Sequence, residues 1–351
     1  MRALLASLFT LACIVSTPAN ALSLGGVKSK MVDFLLEKVS VPGEFELSVE
    51  SVEDAEEGGT LLNGVTIVDA TGPWFRAERF ELAWSPSRLI KGDVQIDRLH
   101  LIGGRLLRLP SAPSDKAAET AEENDASAEA TWPRAPLTVL IQDIQIRDMA
   151  IADTVTPQPI AFDATGQLRD EGDEQSLSLT ITRTDAVSGR IILNYLKRFD
   201  TDALTFKLEA DEAPGGLVAA YAGLDDATPV RLRLDADGPP DAWRGTLDLD
   251  AANTLTASGA FEATWATRWG ADVDLNLLTG DKLAEPIRLA IGERATLELR
   301  AEEDENQVVR LREATLNAAS LQATLDGTYA RASSEVDLAV NAIIDADGAK
   351  R

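Results

Sequence analysis

His100 is the chain's single histidine and Cys13 its single cysteine. A Ser-His or Cys-His dyad needs a base beside its nucleophile, and a zinc centre needs several nitrogen or sulfur ligands. One residue of each kind all but excludes both. His100 lies in Asp97-Arg98-Leu99-His100-Leu101-Ile102-Gly103, where Asp97 could polarise the imidazole; the plainer expectation is a histidine on the rim of a strand. Carboxylates gather at Glu53-Asp54, Glu56-Glu57, Asp225-Asp226 and Glu302 to Glu305. A calcium loop spaces its oxygen ligands around a glycine turn, and none of these runs does. Asp-Ala-Asp-Gly, at 235–238 and again at 345–348, comes nearest, but each copy follows an alternating strand and reads as a turn. No glycine-rich phosphate loop and no Gly-x-Ser-x-Gly elbow is present. The expectation is a protein that is not an enzyme and uses no cofactor and no metal.

The large residues that remain are Trp74, Trp84, Trp132, Trp243, Trp265 and Trp269. Packing on strand faces is their ordinary use, and contact with lipid or a partner is the alternative. Charge narrows the partners. Lys plus Arg number 33 against 58 Asp plus Glu, a formal net charge of −25. Nucleic acid is excluded, because binding its backbone requires dense cations that displace counterions. Adhesion to an anionic membrane surface is disfavoured for the same reason. Hydrophobic residues at 45% and charged residues at 26% describe an ordered chain. Its 351 residues suit two domains of about 150 residues or one extended body.

Met1-Arg2, the apolar run Ala3 to Ser16, and Ala19 and Ala21 two residues apart form the pattern of an export signal over 1–21, cut after Ala21. As an uncleaved helix the run would reach roughly 21 Å, short of the about 30 Å of a bilayer core. Cleavage removes Cys13, which suits an exported protein that folds without disulfides.

From Lys28 to Ser40, Met31, Phe34, Leu35 and Val39 recur at helical spacing, and Pro42-Gly43 ends the pattern. Beyond it the period is two. Phe80, Leu82 and Trp84 share one face of a strand. Phe206 and Leu208 share another, as do Val230, Leu232 and Leu234, then Leu247 and Leu249, then Val273, Leu275 and Leu277. Between these apolar positions stand Arg231, Arg233, Asp248 and Asp250. Gly103-Gly104 interrupts an otherwise continuous strand and reads as a bulge or bend. Residues 111–136, rich in Ala, Glu, Ser and Pro, cannot bury a core and read as a disordered insertion. It divides a first section, 22–110, from a repetitive one, 137–351. Gly216 to Leu224 is the main later helical candidate. Many short strands joined by turns predict an all-β protein of antiparallel meanders. Aromatic residues amount to 5% and small residues are common on the apolar faces, so a long, shallow apolar surface is expected rather than a compact sandwich.

Phe34 to Pro110 carries a set of motifs in order: Gly72-Pro73-Trp74, then Trp84-Ser85-Pro86-Ser87-Arg88-Leu89-Ile90-Lys91-Gly92, then Ile96-Asp97-Arg98-Leu99, then Leu109-Pro110 before the Ala/Glu/Pro-rich stretch. Pro214 to Ala251 adds Gly238-Pro239-Pro240-Asp241-Ala242-Trp243-Arg244-Gly245, closing one strand and opening the next. These segments resemble the alphaproteobacterial type of the TamB proteins, the translocation and assembly modules within the wider AsmA-like group of envelope proteins. The resemblance covers most of the chain from about residue 30 and corresponds to the N-terminal portion of the family, whose members usually run longer and end in a domain tied to outer-membrane assembly. It implies an elongated, twisted antiparallel sheet curled into an apolar groove, for which the residues named by face are the candidate lining, carrying or shielding phospholipid between inner and outer membranes, or a scaffold for the assembly or secretion of outer-membrane proteins; the place it implies is the periplasm, free or held to the inner membrane by the N-terminal segment. The partners it implies are phospholipid and an outer-membrane barrel-assembly protein of the Omp85/TamA type.

Overall fold

The computed structural model describes residues 46–55, 59–84, 93–110, 138–221, 224–225, 227–266, 268–304, 308–330 and 335–344. The expected signal segment with Ala19 and Ala21, the helix at Lys28–Ser40, Trp132 and the 111–136 insertion lie outside them. Among the described residues there are nineteen strands and two short helices, so the expected all-β class holds. The chain divides into two units, Met1–Ala186 and Val187–Arg351.

The first unit holds β1 (Glu46–Ser48), β2 (Ser51–Asp54), β3 (Thr60–Asp69), β4 (Gly72–Trp84), β5 (Asp93–Ile102), β6 (Arg105–Leu106), β7 (Thr138–Ile151), β8 (Ile160–Asp170) and β9 (Glu174–Arg183). β1 and β2 both pair antiparallel with β3, which pairs with β4, which pairs with β5. One expectation fails here: β5 and β6 both run parallel to β7. Parallel neighbours need a crossover of about a dozen residues or more. The interval between Leu106 and Thr138, which contains the stretch read as an insertion, is the one long enough to bring the chain back to the same end of the sheet. The break at Gly103-Gly104 is where expected. Gly103 has φ +66°, and the Glu78 side chain stands where a Cβ would be, so β5 ends and β6 begins there.

Among the described residues the first unit has two small apolar cores. Ile96, Val139, Ile141 and Ile144 are buried across the β5–β7 pairing, with Leu82, Leu99 and Leu168 packed against them. Leu62, Val65 and Ala77 form the other, flanked by Phe75, Phe80 and Leu101. Phe80 and Leu82 thus lie one on each cluster. Trp84 closes β4 opposite Ile96 in the register.

The second unit holds β10 (Gly189–Arg198), β11 (Leu204–Glu212), α1 (Leu217–Tyr221), β12 (Val230–Asp237), β13 (Trp243–Ala251), β14 (Leu255–Thr264), β15 (Gly270–Thr279), α2 (Glu285–Ile291), β16 (Arg294–Glu303), β17 (Val308–Ala318), β18 (Leu321–Ala330) and β19 (Glu335–Ile344). Each strand pairs antiparallel with the next, from β10 through β19. Turn residues at Asp202 and Asn253, with φ +53° and +61°, reverse the chain where Asp and Asn tolerate the left-handed region. α1 falls inside the helical candidate at 216–224. α2 was not expected: its seven residues bury none of their side chains, so no apolar stripe marked it in the sequence.

Candidate functional site

Residues directly opposite one another in an antiparallel pair share a face, so the register of the second unit reads out its two surfaces. Leu193, Leu208, Leu234, Leu247, Gly259, Leu275, Leu297 and Leu316 stand opposite one another in sequence from β10 to β17. One row away along the strands run Ile191, Ala210, Leu232, Leu249, Ala257, Leu277 and Ala295. On the other side run Tyr195, Phe206, Ala236, Gly245, Phe261, Val273 and Leu299. Phe206, Leu208, Val230, Leu232, Leu234, Leu247, Leu249, Val273, Leu275 and Leu277 therefore share a single face. Seven interstrand steps of about 4.8 Å make the leucine row about 34 Å long.

Among the described residues this face is neither fully exposed nor fully enclosed. Leu208, Leu232, Leu234, Leu247, Leu249, Leu275 and Leu277 are all half-buried. A leucine between two packed sheets would be fully enclosed. Only small residues reach full burial in these three rows, namely Ala210, Ala236, Ala257 and Ala295. Gly259 interrupts the leucine row because a Cβ there would come 1.9 Å from the Asp274 carbonyl oxygen; the backbones of β14 and β15 approach too closely for a side chain.

The two margins of the face are built differently. At one, Trp243 packs against Trp265 with ring centroids 5.2 Å apart, Phe261 at 5.4 Å and Phe206 at 6.4 Å. Its indole N–H donates to the Leu204 carbonyl at 2.8 Å, which leaves the aromatic bodies as an apolar border. At the other margin α1 lies down on the sheet. Ala219 is buried against Val230 and Ala251, with Val218, Leu224 and Leu249 around them. Glu212 is 3% exposed, and its carboxylate accepts the Leu217 and Val218 backbone N–H groups at 3.2 and 2.7 Å. A charge on the apolar parity of β11 is thereby spent on the donors that the start of a helix leaves unsatisfied. Lys197, on that parity in β10, is likewise turned to the Asp202 side chain and carbonyl.

The opposite face carries the charge. Glu209, Arg233 and Asp248 stand in one cross-strand line, and Asp211, Arg231 and Asp250 in the next. Arg231 Nε lies 3.3 Å from Asp211. Lys207 Nζ bonds Asp235 at 2.9 Å, Arg244 bonds Glu262 at 2.9 Å, and Arg300 bonds Asp274 at 2.7 Å. Lys207, Arg244 and Arg300 are each held above their ordinary pKa, chiefly by the hydrogen bond to the carboxylate.

In the first unit His100 finds a partner that the sequence did not indicate. Its Nε2 lies 2.8 Å from Asp143 Oδ2, a residue brought near by the parallel β5–β7 pairing. Asp97 instead accepts from Gln95 at 2.5 Å. Gln145 also donates to Asp143, at 2.9 Å, and no nucleophile joins the group in these contacts. Among the described residues no three His, Cys, Asp or Glu side chains gather as a metal site, and no helix is long and apolar enough to cross a membrane.

Sequence reasoning missed several residues of the apolar face. In β10, Ile191, Ile192 and Leu193 are consecutive apolar residues, so alternation cannot choose a parity and only the register with β11 does. Leu297, Leu299 and Leu316 do alternate with polar residues, and that signal was available. The chain matches no protein-family model, no curated protein and no solved structure.

Proposed function

We propose that this chain is a non-enzymatic lipid-handling protein of the bacterial envelope, of the TamB and AsmA-like kind, whose apolar sheet face forms a groove that carries or shields phospholipid acyl chains between membranes. One observation carries the reading: the half-buried aliphatic face that continues from β10 to β17 while charged side chains line the reverse. Burying a methylene is worth about 0.8 kcal/mol, so a sixteen-carbon chain costs about 12 kcal/mol to leave in water. A row of about 34 Å exceeds the about 15 Å that one leaflet's chains span in a bilayer core. The charged side chains on this parity among the described strands β10 to β17, Lys197, Glu212 and Glu303, bond within the protein. The face therefore offers a hydrocarbon tail a dry surface and asks nothing of a head group.

The test is mass spectrometry of lipid co-purifying with the protein under native conditions. Leu232→Asp and Leu275→Asp each place a charge in the rows that would hold the chain, and each is expected to lower bound phospholipid at least tenfold with the strand signal in circular dichroism unchanged. Unchanged loading in both variants overturns the groove.

A further inference from the structure

We propose that the end of the second unit that carries α1 and α2 rests in the interfacial zone of a phospholipid bilayer, with α2 as the inserted element. It rests on the lipid-handling reading, whose membrane contact it supplies. The register brings the β11–β12, β13–β14 and β15–β16 connections to one end of the sheet: Glu212 stands opposite Val230, Val230 opposite Ala251, Ala251 opposite Leu255 and Leu255 opposite Thr279. Among the described residues from β11 to β16, the exposed large apolar side chains all lie at this end. They are Tyr221 at 66%, closing α1, Leu278 at 48%, near the end of β15, and Ile287 and Leu289 at 48% and 52%, in α2. Main-chain bonds hold the α2 connection from both sides. The Gly280 and Lys282 N–H groups donate to the Thr254 and Asn253 carbonyls at 2.9 and 2.8 Å, and the Ala319 N–H donates to the Ile291 carbonyl at 3.1 Å. The helix is thus fixed in place, yet none of its seven residues is buried.

A bilayer fits α2 better than a protein partner does. Ile287 and Leu289 are two residues apart, so on a helix of 3.6 residues per turn they are turned about 200° from each other and face nearly opposite sides. A partner's groove covers one stripe of a helix, whereas the fluid interface of a bilayer surrounds whatever enters it. Charge agrees. Between Thr279 and Arg294, Asp281, Glu285 and Glu293 are matched by Lys282, Arg288 and Arg294, in a chain of formal net charge −25. A zwitterionic surface therefore meets no net charge there, and the exposed Lys282, Arg288 and Arg294 can keep their heads in water above apolar stems. The α1 connection carries Asp225 and Asp226 with no cation, so α2 enters and Tyr221 stays at head-group level, where tyrosine is favoured. Leu277, in the row of Leu232 and Leu249, stands at the same end of β15, so an acyl chain leaving the bilayer beside α2 meets the apolar face.

The experiment uses the 351-residue chain with Cys13→Ser and one new cysteine carrying an environment-sensitive fluorophore. It is mixed with phosphatidylcholine vesicles that hold nitroxide quenchers at shallow or deep acyl positions. A label on Leu289→Cys is expected to shift to the blue and to be quenched most by the shallow nitroxide. A label on Asp241→Cys, in an exposed turn at the opposite end of the sheet, is expected to change in neither respect. Adding Ile287→Asp is expected to raise the lipid concentration needed to quench the Leu289→Cys label about tenfold, the effect of losing one buried aliphatic side chain, with the strand signal in circular dichroism unchanged. Equal quenching at both sites, quenching that Ile287→Asp leaves untouched, or a Leu289→Cys label that no lipid reaches and only a partner protein or a second copy shields, would each overturn the proposal. Leu232→Asp is expected to carry no lipid in the rows and still to show the quenching at Leu289→Cys, so the membrane contact and the lipid face fail separately.

Discussion

Trp243 concentrates much of what the second unit needs at one position. Its ring touches Phe206, Phe261 and Trp265 on three other segments, and its N–H satisfies the Leu204 carbonyl. Trp243→Ala removes a border of the apolar face and leaves that carbonyl without its donor. The site is half-buried, so the expected loss of stability is about 2–3 kcal/mol, below the about 3–5 kcal/mol of a fully enclosed tryptophan; urea unfolding followed by circular dichroism measures it. His100 makes the opposite point. Its bond to Asp143 is partly exposed, and pairs of that kind contribute about 0–1 kcal/mol. It stands on a strand beside Asp143, which Gln145 also bonds.

At the scale of the strand, the pleat separates two chemistries that the chain interleaves. Lys207 and Asp235 stand opposite each other on β11 and β12, and the hydrogen bond between them raises the lysine pKa. A cation with a raised folded pKa adds stability that is fully present below its unfolded value, near 10.4, and is lost as pH rises through the folded value. The urea midpoint of Lys207→Gln is therefore expected to fall slightly below wild type at neutral pH. The two midpoints are expected to converge at strongly alkaline pH, and a difference that persists there would mean that the effect is not the ion pair. Both groups are exposed, so salt should shrink the difference as well. α1 shows an element placed by one side chain. Five residues are too few to hold a helix by themselves, and the Glu212 carboxylate with the Ala219 contact supplies what propensity does not.

Across the whole molecule the formal charge of −25 governs approach to a membrane. Anionic vesicles should repel the chain over a Debye length of about 10 Å at 0.1 M salt and much less at 1 M. Co-sedimentation with phosphatidylcholine vesicles is expected to exceed that with phosphatidylglycerol-rich vesicles at low ionic strength, and the two are expected to converge in high salt. A preference for anionic vesicles at low salt would place a cationic docking surface on the protein that its composition gives no reason to expect. The same charge, displayed on the strand faces opposite the leucine rows, keeps a chain with so much half-buried aliphatic surface from associating through those rows.

The sequence by itself determined the strand class and the parity. In β12, β13 and β15 the alternation of apolar with polar or charged residues leaves one way to pleat the chain, and the register aligns those faces as the pattern requires. The helix at α1 and the break at Gly103-Gly104 were legible for similarly local reasons, an apolar cluster at helical spacing and paired glycines. Tertiary structure alone decided what depends on contacts distant in sequence. The parallel pairing of β5 with β7 follows from a long connection whose composition says nothing about where its ends meet. The His100–Asp143 bond follows from that pairing. The parity of Ile191 and Leu193 was settled only by hydrogen bonds to β11. The half-burial of the leucine rows was equally invisible beforehand, because alternation says which side of a strand is apolar but not how much another layer covers it.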